Sequence, residues 1–213
     1  MKLAHTAANR LKQLANFQQR NLGGKAIRAW GLPVQNRWLL DMSQKAHSPK
    51  AETALVLVCP YNEKHAVSIG RDLFKGLDPK VVSEGRKSLL AGGPDEAHSV
   101  CALHCDRVVG VCTGVRKIWL GERHRIEIVQ VVVDDEFQRR GIVHDMMREV
   151  ASHFLTRGID IVQISAEATN TRAVKAYEGI GFKRYGLLKN GLKFDDQYHD
   201  EIMLSIPLQE ILN

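Results

Sequence analysis

The sequence predicts an α/β (α+β) domain, a mixed and mostly antiparallel sheet flanked by helices, preceded by an N-terminal helical extension. Short β-branched runs alternate with segments of helical period. Three strand-like segments follow one another between Ser99 and Val133 with no helix between them, which calls for antiparallel pairing. The first fifty residues differ in charge from everything after them.

Residues 1–50 hold nine Lys or Arg against a single acid, Asp41, so the remainder carries −2 within a chain of net charge +6. Ala7, Leu11, Leu14 and Phe17 recur at helical spacing and predict an amphipathic helix over Thr6–Phe17. Gly23-Gly24 and Gly31-Leu32-Pro33 then break the pattern, with Trp30 and Trp38 as apolar anchors. Three readings of this basic arm stay open: a contact to phosphates or an anionic surface, a mitochondrial transit segment, or a solvated helix.

The domain proper is expected over 51–213. Ala54–Cys59 is a β-branched run closed by Pro60 and predicts the first strand. Two helices follow, one over Glu63–Phe74 and one capped by Asp78 with Pro79 in its first turn, ending at Gly92-Gly93-Pro94. Ser99–Cys105 and Val108–Trp119 predict a hairpin, and Ile126–Val133 a third consecutive strand. From Gln138 to Arg157 the positions Ile142, Met146, Met147, Val150 and Phe154 follow helical period, with Gly158 as the stop. Ile159–Ser165 is a further strand, Asn170–Gly179 a helix, and Phe182–Leu188 with Glu201–Ile206 a closing strand pair.

Composition excludes several classes. The longest apolar runs fall far short of the roughly 20 residues that span a bilayer, and the N-terminus lacks the apolar core of a secretory signal. A cytoplasmic location is expected, or the mitochondrial matrix if the arm is a transit segment. Cys59, Cys101, Cys105 and Cys112 read as free thiols. With His98 and His104 they show no zinc half-site spacing, so no metal is expected. If Asp106-Arg107 tips the hairpin, Cys101 and Cys112 fall opposite each other.

The junction from Val131 to Val143 carries the chemistry. A helix start leaves backbone N–H groups without intrahelical partners and a partial positive charge, which suits a phosphate. Gly141 removes the Cβ that would block an anion, and Arg139 and Arg140 add formal charge. Gln138-x-x-Gly141-x-Val143 after such a strand resembles the Q/R-x-x-G-x-G/A signature of the GNAT superfamily of N-acetyltransferases. About thirty residues on, Asn170-x-x-Ala173-x-x-x-Tyr177-x-x-x-Gly181-Phe182 is similar to a second element of the same families. The resemblance covers Leu55–Leu208 and is strongest from Ile126 to Phe182.

The resemblance implies a sheet splayed between its fourth and fifth strands to admit acetyl-CoA as co-substrate. It implies that backbone groups of Val131, Val132 and Val133 hold the pantetheine arm. The turn from Gln138 through Arg139, Arg140, Gly141, Ile142 and Val143 to His144 would hold the pyrophosphate, and Asn170, Ala173 and Tyr177 would sit near the thioester. Val143 stands where the family has Gly or Ala, which puts a side chain close to the phosphates.

An amine must attack as the neutral base, yet a lysine amine has a pKa of about 10.4, so a general base helps. Glu127, fourteen residues before Gly141, occupies the strand position of the catalytic glutamate in histone-type relatives. Its other reading is a carboxylate paired with His124 or Arg125. By resemblance Tyr177 protonates the leaving thiolate; its other reading is a core tyrosine. The acids Asp195, Asp196, Asp200 and Glu201 border the expected acceptor site and either attract a cationic amine or merely solvate a loop.

The expected function is therefore acetyl transfer from acetyl-CoA to a primary amine of a small molecule, an amino acid or a protein, within a ternary complex. The alternatives are a catalytically silent acyl-CoA sensor and a ribosome- or RNA-associated factor using the basic arm. The latter lacks interleaved aromatic residues and any RNA-binding motif. Neither a membrane nor a nucleic acid is the expected partner, and homodimerisation stays open.

Overall fold

Seven strands form one sheet in the order β1-β2-β3-β4-β5-β7-β6. The computed structural model describes residues 55–213 apart from Asp195. The helix expected over Thr6–Phe17, the anchors Trp30 and Trp38, and the boundary near residue 50 lie outside the described residues. The strands are β1 (Leu57–Pro60), β2 (Ala97–His104), β3 (Arg107–Arg116), β4 (Arg125–Val133), β5 (Ile161–Glu167), β6 (Lys183–Phe194) and β7 (Gln197–Pro207). The helices are α1 (His65–Ser68), α2 (Pro79–Leu90), α3 (Ile142–Phe154), α4 (Thr171–Ile180) and α5 (Leu208–Leu212). All neighbouring strands pair antiparallel except β4 with β5, which are parallel.

Nearly every central residue of β2 and β3 is buried, because helices cover both faces. On one face Val100, Val109 and Cys112 pack with Ile142, Met146, Met147, Val150 and Phe154 of α3 and with Val174 and Tyr177 of α4. On the other, Cys101, Val108 and Val111 pack with Ala66, Ile69 and Val82 from the α1 and α2 region. Each large side chain so buried contributes about 1.5–3 kcal/mol. At the start of α2, Asp78 accepts from Lys80 N at 2.8 Å with Pro79 in the first turn, as the sequence predicts.

Several boundaries differ from expectation. The helix expected over Glu63–Phe74 is a single α-helical turn, α1, that widens into a π-type segment, Ile69–Leu73. The β2–β3 hairpin turns on Cys105-Asp106, not Asp106-Arg107: both residues have left-handed φ, 47° and 64°, as a tight hairpin turn requires. With a bulge between Ala102 and Leu103, Cys101 pairs with Val111 and Cys112 with Val100. The two cysteines belong to clusters on opposite faces, so the Cys101–Cys112 juxtaposition does not occur. β3 ends at Arg116, leaving Trp119 and Leu120 exposed in the loop before β4. The final hairpin is longer than expected, and α5 closes the described chain.

Two departures from regularity shape the region of interest. β4 and β5 pair only from Arg125↔Ile161 to Ile128↔Ile164, although β4 runs on to Val133 and β5 to Glu167, so the sheet opens beyond Ile128. Within the open stretch Gln130 has φ 56°, and the β3–β4 register shifts between Val111 and Thr113. This bulge sends Val131 and Val133 to the α3 side while Val132 packs on the α1–α2 side.

Candidate active site

The helix α3 begins at Ile142, four residues later than the expected start at Gln138. Asp134 caps a 3₁₀ turn, Asp135–Phe137, by accepting from Glu136 N, and Arg139 and Gly141 then take left-handed φ of 61° and 80°. Gly141 is the N-cap and offers no side chain. The first hydrogen bond closing onto it runs from Asp145 N to Gly141 O at 3.1 Å. Among the described residues, no carbonyl or side chain accepts from the backbone N–H groups of Arg139 to His144. A Cβ built at Gly141 would meet no atom within 4 Å, so the space in front of this helix end is open.

The side chains around the turn brace it. Gln138 donates from Nε2 to Val133 O at 3.2 Å and to Asp135 Oδ1 at 2.8 Å, while its Oε1 accepts from Arg172 at 2.7 Å. Gln138 thus ties the end of β4 to the turn and to α4. Arg140 lies 5.0 Å over the Phe137 ring and donates to Glu136 O. Arg139 is exposed. Ile142 is a core residue, and Val143 packs half-buried against the same core. His144 is half-buried.

Beside the helix end, Val131 and Val133 of β4, Ala166 of β5, and Ala168 and Ala173 at α4 are partly buried against the core. The opening between β4 and β5 is therefore walled by small apolar side chains and ends at an uncapped helix start. That donor set fits a long apolar arm carrying a diphosphate at one end.

The second motif element lies on α4. Asn170 Oδ1 accepts from Ala173 N at 3.1 Å, so this side chain caps α4. Tyr177 is 7% exposed, its ring 6.2 Å from that of Phe182. Burial pushes its phenol pKa up, with nearby Cys112 adding to the shift.

On the opposite face of the sheet stands Glu127, between the buried Ile126 and Ile128. Its Oε2 accepts from Lys117 Nζ at 2.5 Å, and its side chain is 37% exposed. The ion-pair partner is thus Lys117, not His124 or Arg125; Arg125 instead pairs with Glu122. In the closing hairpin Asp196 pairs with Lys193 and Asp200 accepts from Asn190 N, while Glu201 has no ion pair among the described residues. Glu167 at the end of β5 pairs with His199 at 2.8 Å.

Sequence reasoning did not single out Arg172, Lys117 or Gln163. Each owes its place to strand register or to helix packing, and no local motif marks it. Among the described residues no three His, Cys, Asp or Glu side chains converge on a metal site, and no helix is long and apolar enough to cross a membrane.

The chain belongs to the GNAT family of acetyltransferases, whose family model matches residues 71–182. Acetyl-CoA is the acetyl donor of that family. A curated relative, the ribosomal protein bS18-alanine N-acetyltransferase of Salmonella typhimurium, is 26% identical over 81 residues, covering 38% of this chain and 55% of its own length. The chain thus spans about half the length of the curated relatives it matches. Among solved structures, a ribosomal-protein-alanine N-acetyltransferase from Brucella melitensis superposes with a TM-score of 0.59 at 17% identity, covering 71% of this chain and 99% of that one. A Salmonella typhimurium protein solved with its cofactor acetyl-CoA gives a TM-score of 0.58 at 12% identity, covering 72% of this chain and 94% of that one. At these identities the structural likeness concerns the fold.

Proposed function

We propose that the chain transfers the acetyl group of acetyl-CoA to a primary amine by direct attack, with both substrates bound together. The observation that carries this reading is the β4–β5 opening ending at the uncapped start of α3. The N–H groups from Arg139 to His144 would receive the diphosphate, with Arg139 adding charge. Val131, Val132 and Val133 would line the arm from β4, and Ala173 from α4. Gln138 holds the turn in place, and Asn170 holds the start of α4.

Two faces of the sheet then meet at the gap. The donor enters from the α3–α4 side, where Tyr177 lies; the amine arrives from the other, where Glu127 lies. Glu127 takes a proton from the amine, directly or through water, and Lys117 holds one carboxylate oxygen while the other is left for that proton. Tyr177 gives its phenolic proton to the departing sulfur as the C–S bond breaks. Backbone N–H groups at the bulged stretch of β4 stabilise the charge developing on the carbonyl oxygen.

A peptide with a free N-terminal alanine is the first acceptor to try, because the matched relatives act on ribosomal-protein alanine. The test is a thiol-release assay with acetyl-CoA against alanyl peptides, free amino acids and polyamines. Turnover on at least one amine is expected. Tight acetyl-CoA binding with no turnover on any of them would point to a silent cofactor sensor.

A further inference from the structure

Gln163 of β5 is 8% exposed and stands directly across from Glu127 in the parallel β4–β5 ladder, one residue before the strands part. Ser205 of β7 flanks it on the other side. Side chains alternate along a strand, and Val162 and Ile164 belong to the core under α3 and α4. Gln163 therefore faces the Glu127 side. Its Nε2 donates to Tyr185 Oη at 3.0 Å, but its buried Oε1 has no hydrogen-bond partner among the described residues. A buried amide oxygen without a donor costs stability, and none of the described residues supplies one here.

The surroundings identify that donor. Glu127 across the ladder is 37% exposed and Tyr185 behind is 54% exposed, so the amide lies just under an accessible rim. Resting on the acetyl-transfer reading above, we infer that Gln163 is a specificity-determining residue for the acceptor: its Oε1 takes a second N–H of the amine whose first proton goes to Glu127. A primary amine carries enough protons for both. An alcohol has one hydroxyl proton, which the base takes, and leaves Gln163 unpaired. A dry acceptor left unpaired by the wrong nucleophile is an effective filter. Gln163 thus favours amines over hydroxyl nucleophiles at the thioester.

The test compares wild type with Gln163→Met, which keeps the length of the side chain and removes the acceptor, and with Gln163→Asn, which keeps a neutral amide oxygen one methylene shorter. The probes are an alanyl hexapeptide, spermidine and a serine-derived alcohol, each with acetyl-CoA. In Gln163→Met the KM for the preferred amine rises about tenfold while the KM for acetyl-CoA holds and the melting temperature does not fall. The ratio of amine to alcohol acetylation falls by a similar factor. In Gln163→Asn the amine KM stays within about threefold of wild type. An unchanged amine KM in Gln163→Met, or a loss of acetyl-CoA affinity in step with it, would assign Gln163 a structural role and overturn the inference. If wild type itself acetylates none of the probes, the acetyl-transfer reading fails and this inference falls with it.

Discussion

A phenol donates a proton only while it holds one, and the burial of Tyr177 keeps it in the neutral form through physiological pH. Tyr177→Phe preserves the ring in the core and removes the proton; kcat is expected to drop about 10²-fold, with acetyl-CoA affinity within about twofold, in steady-state thiol-release kinetics. Unchanged turnover would leave Tyr177 as a packing residue. Arg86 poses a different question, since it is 1% exposed and, among the described residues, hydrogen-bonds the hydroxyls of Ser99 and Thr113. No carboxylate among the described residues pairs with it, and burial lowers its pKa. Ser99 and Thr113 already bond each other at 2.9 Å, so Arg86→Met strands neither of them. That variant is expected to be neutral or more stable by about 1–2 kcal/mol in urea denaturation, because a desolvated charge is exchanged for apolar packing. At this scale motif spacing marked Tyr177, Gly141 and Glu127 directly. Lys117 escaped it because its contact with Glu127 depends on where β3 ends and β4 begins, which no local pattern encodes.

The helix α3 carries the proposed phosphate site, and its seat on the sheet depends on what β3 leaves out. A Cβ at Gly114 would lie 2.5 Å from Val150 Cγ1 and 3.2 Å from a Phe154 ring carbon. Gly114→Ala is therefore expected to cost about 1–3 kcal/mol, read as a lower melting temperature. At the far end of α3 the His153 ring stacks on His98 of β2, 3.8 Å between centroids and 3° from parallel. Burial, with His153 and Arg157 beside it, pulls the His98 pKa from the ordinary 6.5 down to about 4. Folded His98 is neutral where the unfolded residue would take a proton. Stability present above about pH 6.5 is then lost as the pH falls toward 4. His98→Phe should flatten the melting-temperature profile across that window; a profile identical to wild type would remove His98 as the cause. Element types were legible here because the α3 stripe has a clean helical period. The start of α3 was placed too early because Asp134 to Gly141 continues the polar side of the pattern while the backbone turns through two left-handed residues. The hairpin turns one residue earlier than expected because no local pattern marks Cys105, a non-glycine residue with left-handed φ, as a turn position.

The described residues form one sheet opened along one seam. Element order, with three consecutive strands and then helix, strand, helix and a strand pair, allowed the mixed sheet to be read from sequence, and the two motifs single out the junction proposed to hold the cofactor. The opening itself rests on ladder pairs that stop at Ile128 and Ile164 while both strands continue, a property of register between distant segments. The face proposed to receive the acceptor was likewise out of reach, since Glu127 and Gln163 are 36 positions apart in sequence and meet through that ladder. The uncapped start of α3 beside this seam is the proposed holder of acetyl-CoA, through its diphosphate. Isothermal titration of acetyl-CoA into wild type and into Gly141→Glu, which sets a carboxylate before the free N–H groups, tests it most directly. Saturable one-site binding by wild type and at least about a hundredfold weaker binding by Gly141→Glu, with its fold intact by circular dichroism, is the expected result. Equal affinity in the two proteins, or no binding by wild type, would contradict it.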